Sequence, residues 1–175
     1  MIADRHYNRQ KPGTPQFVPP GRCLVLVTEG AFWVTSWPFG EYVKHRWPGA
    51  WICSAFRNER PDLYLSSDLI RQALAATCWK WPIPELGMVT FVDRAKTRHK
   101  RDPGRCYLRA GFEYDGETKG GLVALRLSPE RMPAPEQPLL SSLSLVSAEP
   151  SSAHTKPRMI TEPSPRMPGA PGRKL

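Results

Sequence analysis

The sequence predicts an α/β protein in which helices cover a mixed β-sheet. Three observations support this prediction. Short apolar runs alternate with helical segments, one segment has a clear amphipathic helical period, and the chain has no visible internal repeat. Strand–helix–strand alternation is typical of sheets that carry helices on their faces.

The first elements are three short strands. Two β-branched, apolar runs at 22–28 and 31–37 flank Glu29 and Gly30, a pattern that predicts a β-hairpin. A third apolar run, 50–56, is bounded by proline, glycine and charged residues, so we expect a buried strand there.

The clearest helix is predicted at 67–81. Ser66 or Ser67 suits the N-cap, Asp68 complements the helix dipole, and Pro82 ends the helix. Its apolar side chains recur on one face, which should pack on the sheet. The residues of this face are Leu69, Ile70, Ala73, Leu74, Thr77 and Trp81.

The helix is followed by a buried strand at 87–92, a basic loop at 94–101 and a short helix around Tyr107. Two more strands end the predicted domain. One starts at Phe112, and the other spans 122–127.

Strong stop signals frame the short helix. Asp102 suits its N-cap, Pro103 its first position, and Gly111 the left-handed position after its end. Two turns are too short to be stable alone, so tertiary packing must hold them. Tyr107 is then either a functional group or an amphipathic core residue.

The chain divides into an N-terminal arm at 1–20, a folded domain at 21–127 and a tail at 128–175. Half of the 20 prolines lie in the tail, together with many serines and few aromatic residues. Such a composition buries too little apolar surface to offset its ordering entropy. We therefore expect a disordered, Pro/Ser-rich C-terminal tail.

Composition and charge also limit the kinds of partner and cellular compartment that we expect. The net charge of +9 favours polyanionic partners or polyphosphate ligands. No apolar run is long enough to span a bilayer, and no signal-peptide core follows the start. The four cysteines lack the paired spacing of a zinc site, so buried free thiols in a reducing cytoplasm are expected.

The junction between the third strand and the long helix is a candidate anion site. Amide groups with no helical acceptor and the positive end of the dipole meet at a helix start, and Arg57 can add a charged contact to a phosphate. The alternative is that Ser66 and Ser67 only cap the helix.

Asp93 ends a predicted buried strand, where catalytic groups of open α/β sheets gather. Its carboxylate can act as a general base or position an amine, or it can simply cap the following loop. With His6 and Tyr7 of the arm it would offer carboxylate, imidazole and phenolate groups. That set can bind iron or grip an acceptor base, and the sequence leaves any metal unknown.

Several segments of the sequence, taken together and in this order, resemble those of a known group of proteins. They are His6-Tyr7 and the segments 16–21, 51–59, 66–70, 87–93 and 103–107. Tyr107-x-x-x-Gly111-Phe112 resembles the last helix–strand element of GNAT-type acyltransferases. The whole set is similar to the Mom-like DNA-modification proteins of bacteriophages, which are related to GNAT enzymes.

The resemblance implies a GNAT-like mixed sheet flanked by helices and an enzyme that uses acetyl-CoA. Mom-like proteins modify adenine at N6 with an acetamido-type group and so protect DNA from restriction, in the cytoplasm of a bacterial host. By motif match, Arg57, Ser66 and Ser67 would bind the coenzyme. Asp93 and Tyr107 would form the reaction centre under His6-Tyr7, with Tyr107 protonating the leaving thiolate. The chain departs from the GNAT pattern because serines replace the expected glycine-rich phosphate loop.

The basic loop is the candidate DNA contact. Residues 94–109 hold seven Lys or Arg and one acid, a local charge of 7 − 1 = +6. Arg98, Lys100 and Arg101 would contact phosphates, and three tryptophans (Trp33, Trp37 and Trp47) would stack a base. Two other functions stay open: a GNAT-type N-acetyltransferase acting on a protein, RNA or small-molecule amine, and a non-catalytic basic DNA-binding module.

Overall fold

The computed structural model describes residues 6, 18–97, 102–138 and 144–148. Seven strands and two α-helices make up a mixed α/β fold, as the sequence predicts. In chain order they are β1 (Gly21–Thr28), β2 (Ala31–Pro38), β3 (Trp51–Asn58), α1 (Ser66–Lys80), β4 (Met88–Val92), α2 (Arg105–Arg109), β5 (Glu113–Glu117), β6 (Val123–Leu127) and β7 (Ser144–Ala148).

The strands form one sheet in the order β5-β6-β4-β3-β2-β1-β7. β3 and β4 are parallel and α1 connects them, whereas every other neighbouring pair is antiparallel. The predicted hairpin is confirmed: β1 and β2 pair from Gly21↔Pro38 to Thr28↔Ala31 around Glu29 and Gly30. β6, the last strand of the predicted domain, lies between β4 and β5.

Both helices pack on the same side of the sheet, which we call the helical face. The main core lies there, with Trp33, Trp51, Leu74 and Leu125 among its buried side chains. The other side, which we call the opposite face, holds two smaller apolar clusters. One is centred on Trp47 and Val89, and the other on Phe32, Val34 and Ala55.

A buried chain of hydrogen bonds fixes α1 on the helical face. The indole N–H of Trp33 donates to Thr35 Oγ1 at 2.6 Å, and Thr35 Oγ1 lies 3.1 Å from Thr77 Oγ1. Thr77 in turn donates to the carbonyl oxygen of Ala73 at 2.7 Å. Satisfied polar groups in a core specify a unique packing, so this series of hydrogen bonds orients α1 against β2.

β3 contains a β-bulge at Ser54. Val34 pairs with Ala55, but the next residue, Thr35, pairs with Cys53, so the ladder skips Ser54. An extra residue shifts the alternation of side chains. From Ala55 onward, side chains of β3 therefore point to the face opposite to the one that unbroken alternation would give.

Both helices are capped differently from the prediction; α1 begins one residue earlier than predicted, and α2 begins after Pro103. The N-cap of α1 is Leu65, and neither Ser66 nor Ser67 caps the helix with its side chain. The N-cap of α2 is Gly104, with φ +89°, so Asp102 and Pro103 precede the helix. The left-handed glycine replaces a side-chain cap by turning the chain sharply. The predicted left-handed position of Gly111 is confirmed, with φ +107°.

The predicted domain ends at 127, and the next residues, 128–138, continue along it in the structure. Met132 packs on the core of the helical face, and the amide of Glu136 donates to the Ala75 carbonyl at 3.1 Å. Composition misses this segment because one apolar anchor and a few backbone bonds suffice to seat it. β7 also falls in the predicted tail and pairs with β1, and the other tail residues lie outside the described residues.

No helix in the described ranges is long and apolar enough to cross a membrane. The cysteines in these ranges are free thiols; Cys53 and Cys78 are buried, and Cys23 and Cys106 are half-buried.

His45 should make stability depend on pH. Its ring packs against Trp47 and Phe91, its Nδ1 accepts a bond from the Trp47 amide at 3.2 Å, and burial lowers its pKa. As pH falls below 6.5, the unfolded chain takes up this proton first, so the free energy of unfolding decreases. We expect thermal unfolding to show a larger Tm loss from pH 7.5 to 5.5 in the wild type than in His45→Gln. Equal losses in the two proteins would contradict this prediction.

Candidate active site

A groove of about 780 Å³ opens at the edge of the sheet where β3 and β4 end. Its walls come from the ends of both strands, the loop after β3, the start of α1 and the helix α2. The volume is in the range of ligand sites, roughly 300–1,000 Å³. Ligands of open α/β sheets bind beyond the carboxyl ends of parallel strands, which is where this groove lies.

The floor of the groove is a fork between two diverging strands. The parallel ladder of β3 and β4 ends at the pair Cys53↔Thr90, although β3 runs on to Asn58 and β4 to Val92. We call the gap between 54–58 and 91–92 the fork. Within the described residues, the ladder between β3 and β4 does not extend to residues 54–58. The backbone edge of β3 therefore faces the groove there. An extended ligand with amide groups can pair with such an edge.

One wall is the start of α1, which Asn58 holds in place. Its amide nitrogen donates to the Tyr64 carbonyl at 2.8 Å and lies 3.2 Å from Ser66 Oγ. Its side-chain oxygen accepts a bond from the Arg60 amide at 2.9 Å. Both Ser66 and Ser67 line the groove, and the first amides of a helix have no acceptor within it. This wall therefore offers N–H donors and a positive dipole end to an anion.

Tyr107 reaches from α2 into the fork. Its hydroxyl lies 3.5 Å from Cys53 Sγ, at the last pair of the parallel ladder. Its ring packs edge-on against Phe56 and Phe112, with centroid distances of 6.2 and 5.5 Å. Burial, followed by the nearby Cys53 and Cys106, raises the pKa of Tyr107 well above 10. The phenol is therefore a protonated donor throughout the neutral range.

Cys53 is an inert neighbour of this tyrosine. Burial raises the pKa of its thiol to about 12, so it carries almost no thiolate at neutral pH. Its carbonyl oxygen accepts a bond from Thr90 Oγ1 at 3.3 Å. Nucleophilic catalysis by Cys53 does not fit this environment, whereas hydrogen-bond donation by Tyr107 does.

Basic side chains dominate the charged lining of the groove. Four line it: Arg57, Lys96, Arg105 and Arg109. The acids in the lining are Glu59 and Asp102. The excess of positive charge favours anionic ligands.

Asp93 follows β4 as predicted, but its carboxylate serves the loop. Its Oδ1 accepts bonds from the amides of Ala95 and Lys96 at 2.9 and 3.2 Å. It does not line the groove, whereas Val92 just before it does. The Asp93 carboxylate therefore caps the loop after β4 and is not placed to act as a general base in the groove.

His6 does reach the groove. It lies on the opposite face, 7 % exposed, with its ring edge-on to Phe32 at a centroid distance of 5.9 Å. Of the residues predicted to bind iron or the acceptor base, His6 lines the groove and Asp93 does not. Tyr7 lies outside the described residues, as do the predicted DNA contacts Arg98, Lys100 and Arg101.

The prediction that tryptophans stack a base is wrong for two of the three. Trp33 and Trp47 are 2 % and 5 % exposed and belong to the cores of different faces. Trp37 packs against Trp51 and Trp81 at centroid distances of 6.2 Å, away from the groove lining. These large aromatic side chains contribute to the cores instead.

Sequence reasoning missed Asn58, Lys96, Arg105 and Arg109. One signal was present: an asparagine at a strand end, followed by a proline-containing loop, is a common turn organiser. The basic residues were visible only as part of a charge run, and no pattern showed which of them face the groove.

Comparison of this chain with protein-family models, with curated proteins and with solved structures gives no match. Any function assigned to the groove must therefore be argued from its own residues and from the resemblance of the sequence segments.

Proposed function

We propose that the protein is a phage or prophage DNA-modification enzyme that uses acetyl-CoA to turn the N6 amino group of adenine into an acetamido-type group. The bond from N6 to the acyl carbon forms, the bond from that carbon to sulfur breaks, and coenzyme A leaves as the thiol with the proton from N6. The observation that carries the proposal is the groove itself. It joins the start of α1, the edge of β3 beyond the end of the parallel ladder and a protonated tyrosine in one space. A coenzyme A thioester has the matching groups in the same order: phosphates, amides and a sulfur.

The donor half of the proposal begins at α1. The pyrophosphate would bind the N–H groups at Ser66 and Ser67, near the basic lining. The two amides of the pantetheine arm would lie along the edge of β3 in the fork and form backbone hydrogen bonds there. The arm would then bring its sulfur to the Tyr107 hydroxyl.

The pKa order defines what Tyr107 contributes. An ordinary thiol has a pKa of about 8.5, and that of Tyr107 lies well above 10, so complete proton transfer to the departing thiolate is uphill. Donation of a hydrogen bond to the sulfur as its charge develops is favourable, because it is strongest in the transition state. Tyr107 is therefore a charge-stabilising donor as the bond to sulfur breaks.

The acceptor half depends on the charge of the chain and on the resemblance to Mom-like proteins. An adenine base must leave the duplex stack to enter a groove at the fork, at a cost of a few kcal/mol. Contacts from basic side chains to phosphates can offset this cost without reading sequence. Other amine acceptors would use the same donor half.

The donor half predicts a thermal shift. Acetyl-CoA at 100 times its Kd should stabilise the protein by about 2.7 kcal/mol, seen as a rise in Tm of several degrees. Coenzyme A without the acetyl group should give a similar rise, and acetate alone should give none. A wild-type Tm that does not change at saturating acetyl-CoA would rule out both enzymatic functions and leave the non-catalytic DNA-binding module.

Nucleoside mass spectrometry identifies the acceptor in the same experiment series. DNA from bacteria that express the protein should contain a modified deoxyadenosine, absent when Tyr107→Phe is expressed at the same level. If acetyl-CoA raises the Tm but no modified nucleoside is found, the protein is still an acyltransferase. Its acceptor is then a protein, an RNA or a small amine instead of DNA.

A further inference from the structure

Arg57 lies on the opposite face of the sheet from α1. It pairs with Phe32 of β2, and paired residues of neighbouring strands share a face. Phe32 belongs to the core of the opposite face and contacts the ring of His6. The preceding residue, Phe56, pairs with Trp33 and packs on the helical face.

The bulge at Ser54 produces this placement. With unbroken alternation, Arg57 would share a face with Trp51 and Cys53, which is the face that carries α1. The extra residue reverses the alternation and turns the guanidinium away from the helix. The bulge thus separates Arg57 from Ser66 and Ser67, although all three line one groove.

The lining of the groove therefore comes from both faces of the sheet, and we call its two parts the helical mouth and the opposite mouth. The helical mouth carries the start of α1, with Asn58 bonded to Ser66 Oγ. The opposite mouth carries His6, Arg57 and Glu59. Tyr107 packs on the core of the helical face, and its hydroxyl lies beside Cys53 at the end of the parallel ladder.

Glu59 holds the guanidinium of Arg57 in one orientation. The Nε of Arg57 donates to Glu59 Oε1 at 2.7 Å, with both side chains partly buried, at 36 % and 23 % exposure. A fixed, planar guanidinium suits a phosphate, whose oxygens match its fork of donors. Lys96 adds a second cation on the β4 side of the groove.

We infer that Arg57 binds a backbone phosphate of a polynucleotide acceptor at the opposite mouth, and does not bind the acyl donor. This inference rests on the proposed function, since it assigns the two ligands to separate mouths. The contact positions the strand and carries no sequence information.

The test compares Arg57→Gln with Arg60→Gln as a matched control. Arg60 is also an arginine of the loop region, but it pairs with Glu29 and Asp62 and does not line the groove. Binding of a mixed-sequence duplex oligonucleotide is measured across salt concentrations, and binding of acetyl-CoA is measured by thermal shift.

We expect Arg57→Gln to weaken oligonucleotide binding and to reduce the slope of log K against log salt by about 1. Its acetyl-CoA shift should equal that of the wild type, which also shows that the variant is folded. Arg60→Gln should match the wild type in both measurements. Arg57→Lys should restore the salt slope, because it restores the charge.

Two results would overturn the inference: loss of the acetyl-CoA shift with unchanged oligonucleotide binding, or wild-type behaviour of Arg57→Gln in both assays. Failure of the proposed function looks different. In that case the wild type itself shows no acetyl-CoA shift, while the oligonucleotide arm still decides whether Arg57 contacts phosphate.

Discussion

Replacing Tyr107 by phenylalanine should lower the rate of acyl transfer by about 10²- to 10⁴-fold, the loss typical of removing one proton donor or charge-stabilising group. The ring contacts to Phe56 and Phe112 remain, so only the hydroxyl beside Cys53 is lost. The rate is measured as release of free coenzyme thiol in the presence of DNA.

The matched control is Tyr114→Phe, which removes a hydroxyl from an exposed tyrosine of β5. It should leave the rate unchanged. Acetyl-CoA should still stabilise Tyr107→Phe, because the phosphate and amide contacts do not involve the hydroxyl. If Tyr107→Phe turns over at the wild-type rate, Tyr107 is a core residue and the proposed chemistry needs another donor.

Gly87→Ala should destabilise the fold by about 2–5 kcal/mol, from backbone strain and overpacking together. Gly87 has φ +69°, and a Cβ there would overlap the carbonyl oxygen of Leu127 in the neighbouring strand β6. Its own carbonyl accepts the Trp51 amide at 3.0 Å, where β3 begins. The free energy of unfolding in urea measures the loss.

Gly49→Ala separates the two causes. Gly49 has a similar φ of +86°, but nothing lies within 4 Å of an added Cβ. It should lose only the strain of a left-handed alanine, about 1–2 kcal/mol. Equal losses at both positions would mean that the contact with Leu127 is relieved by a small backbone shift.

The sequence was sufficient for elements whose pattern is local. The apolar face of α1 appears in its period, and Ile70, Leu74 and Thr77 are buried as that period requires. The hairpin around Gly30 and the left-handed Gly111 follow from glycine chemistry at turns. These features depend on neighbours a few residues apart, so a single sequence contains them.

The groove depends on features that no local pattern encodes. The bulge at Ser54 has no sequence signature of its own, yet it decides which face Arg57 occupies. The fork exists because a parallel ladder stops after Thr90, which depends on how the strands twist apart. The sequence allowed Asp93 to be either a catalytic carboxylate or a loop cap. Only the structure shows that its carboxylate accepts bonds from the Ala95 and Lys96 amides, as a loop cap does.

The order of strands in the sheet also constrains how the protein is made. β6 pairs with β4 on one side and β5 on the other, yet it is synthesised after both. A nascent chain that has left the ribosome only as far as β5 therefore exposes an unpaired edge of β4. Until Leu127 emerges, this apolar edge is open to wrong pairing. Translation pauses that occur when β5 has emerged and β6 is still in the exit tunnel should thus favour aggregation, whereas pauses after Leu127 has emerged should not.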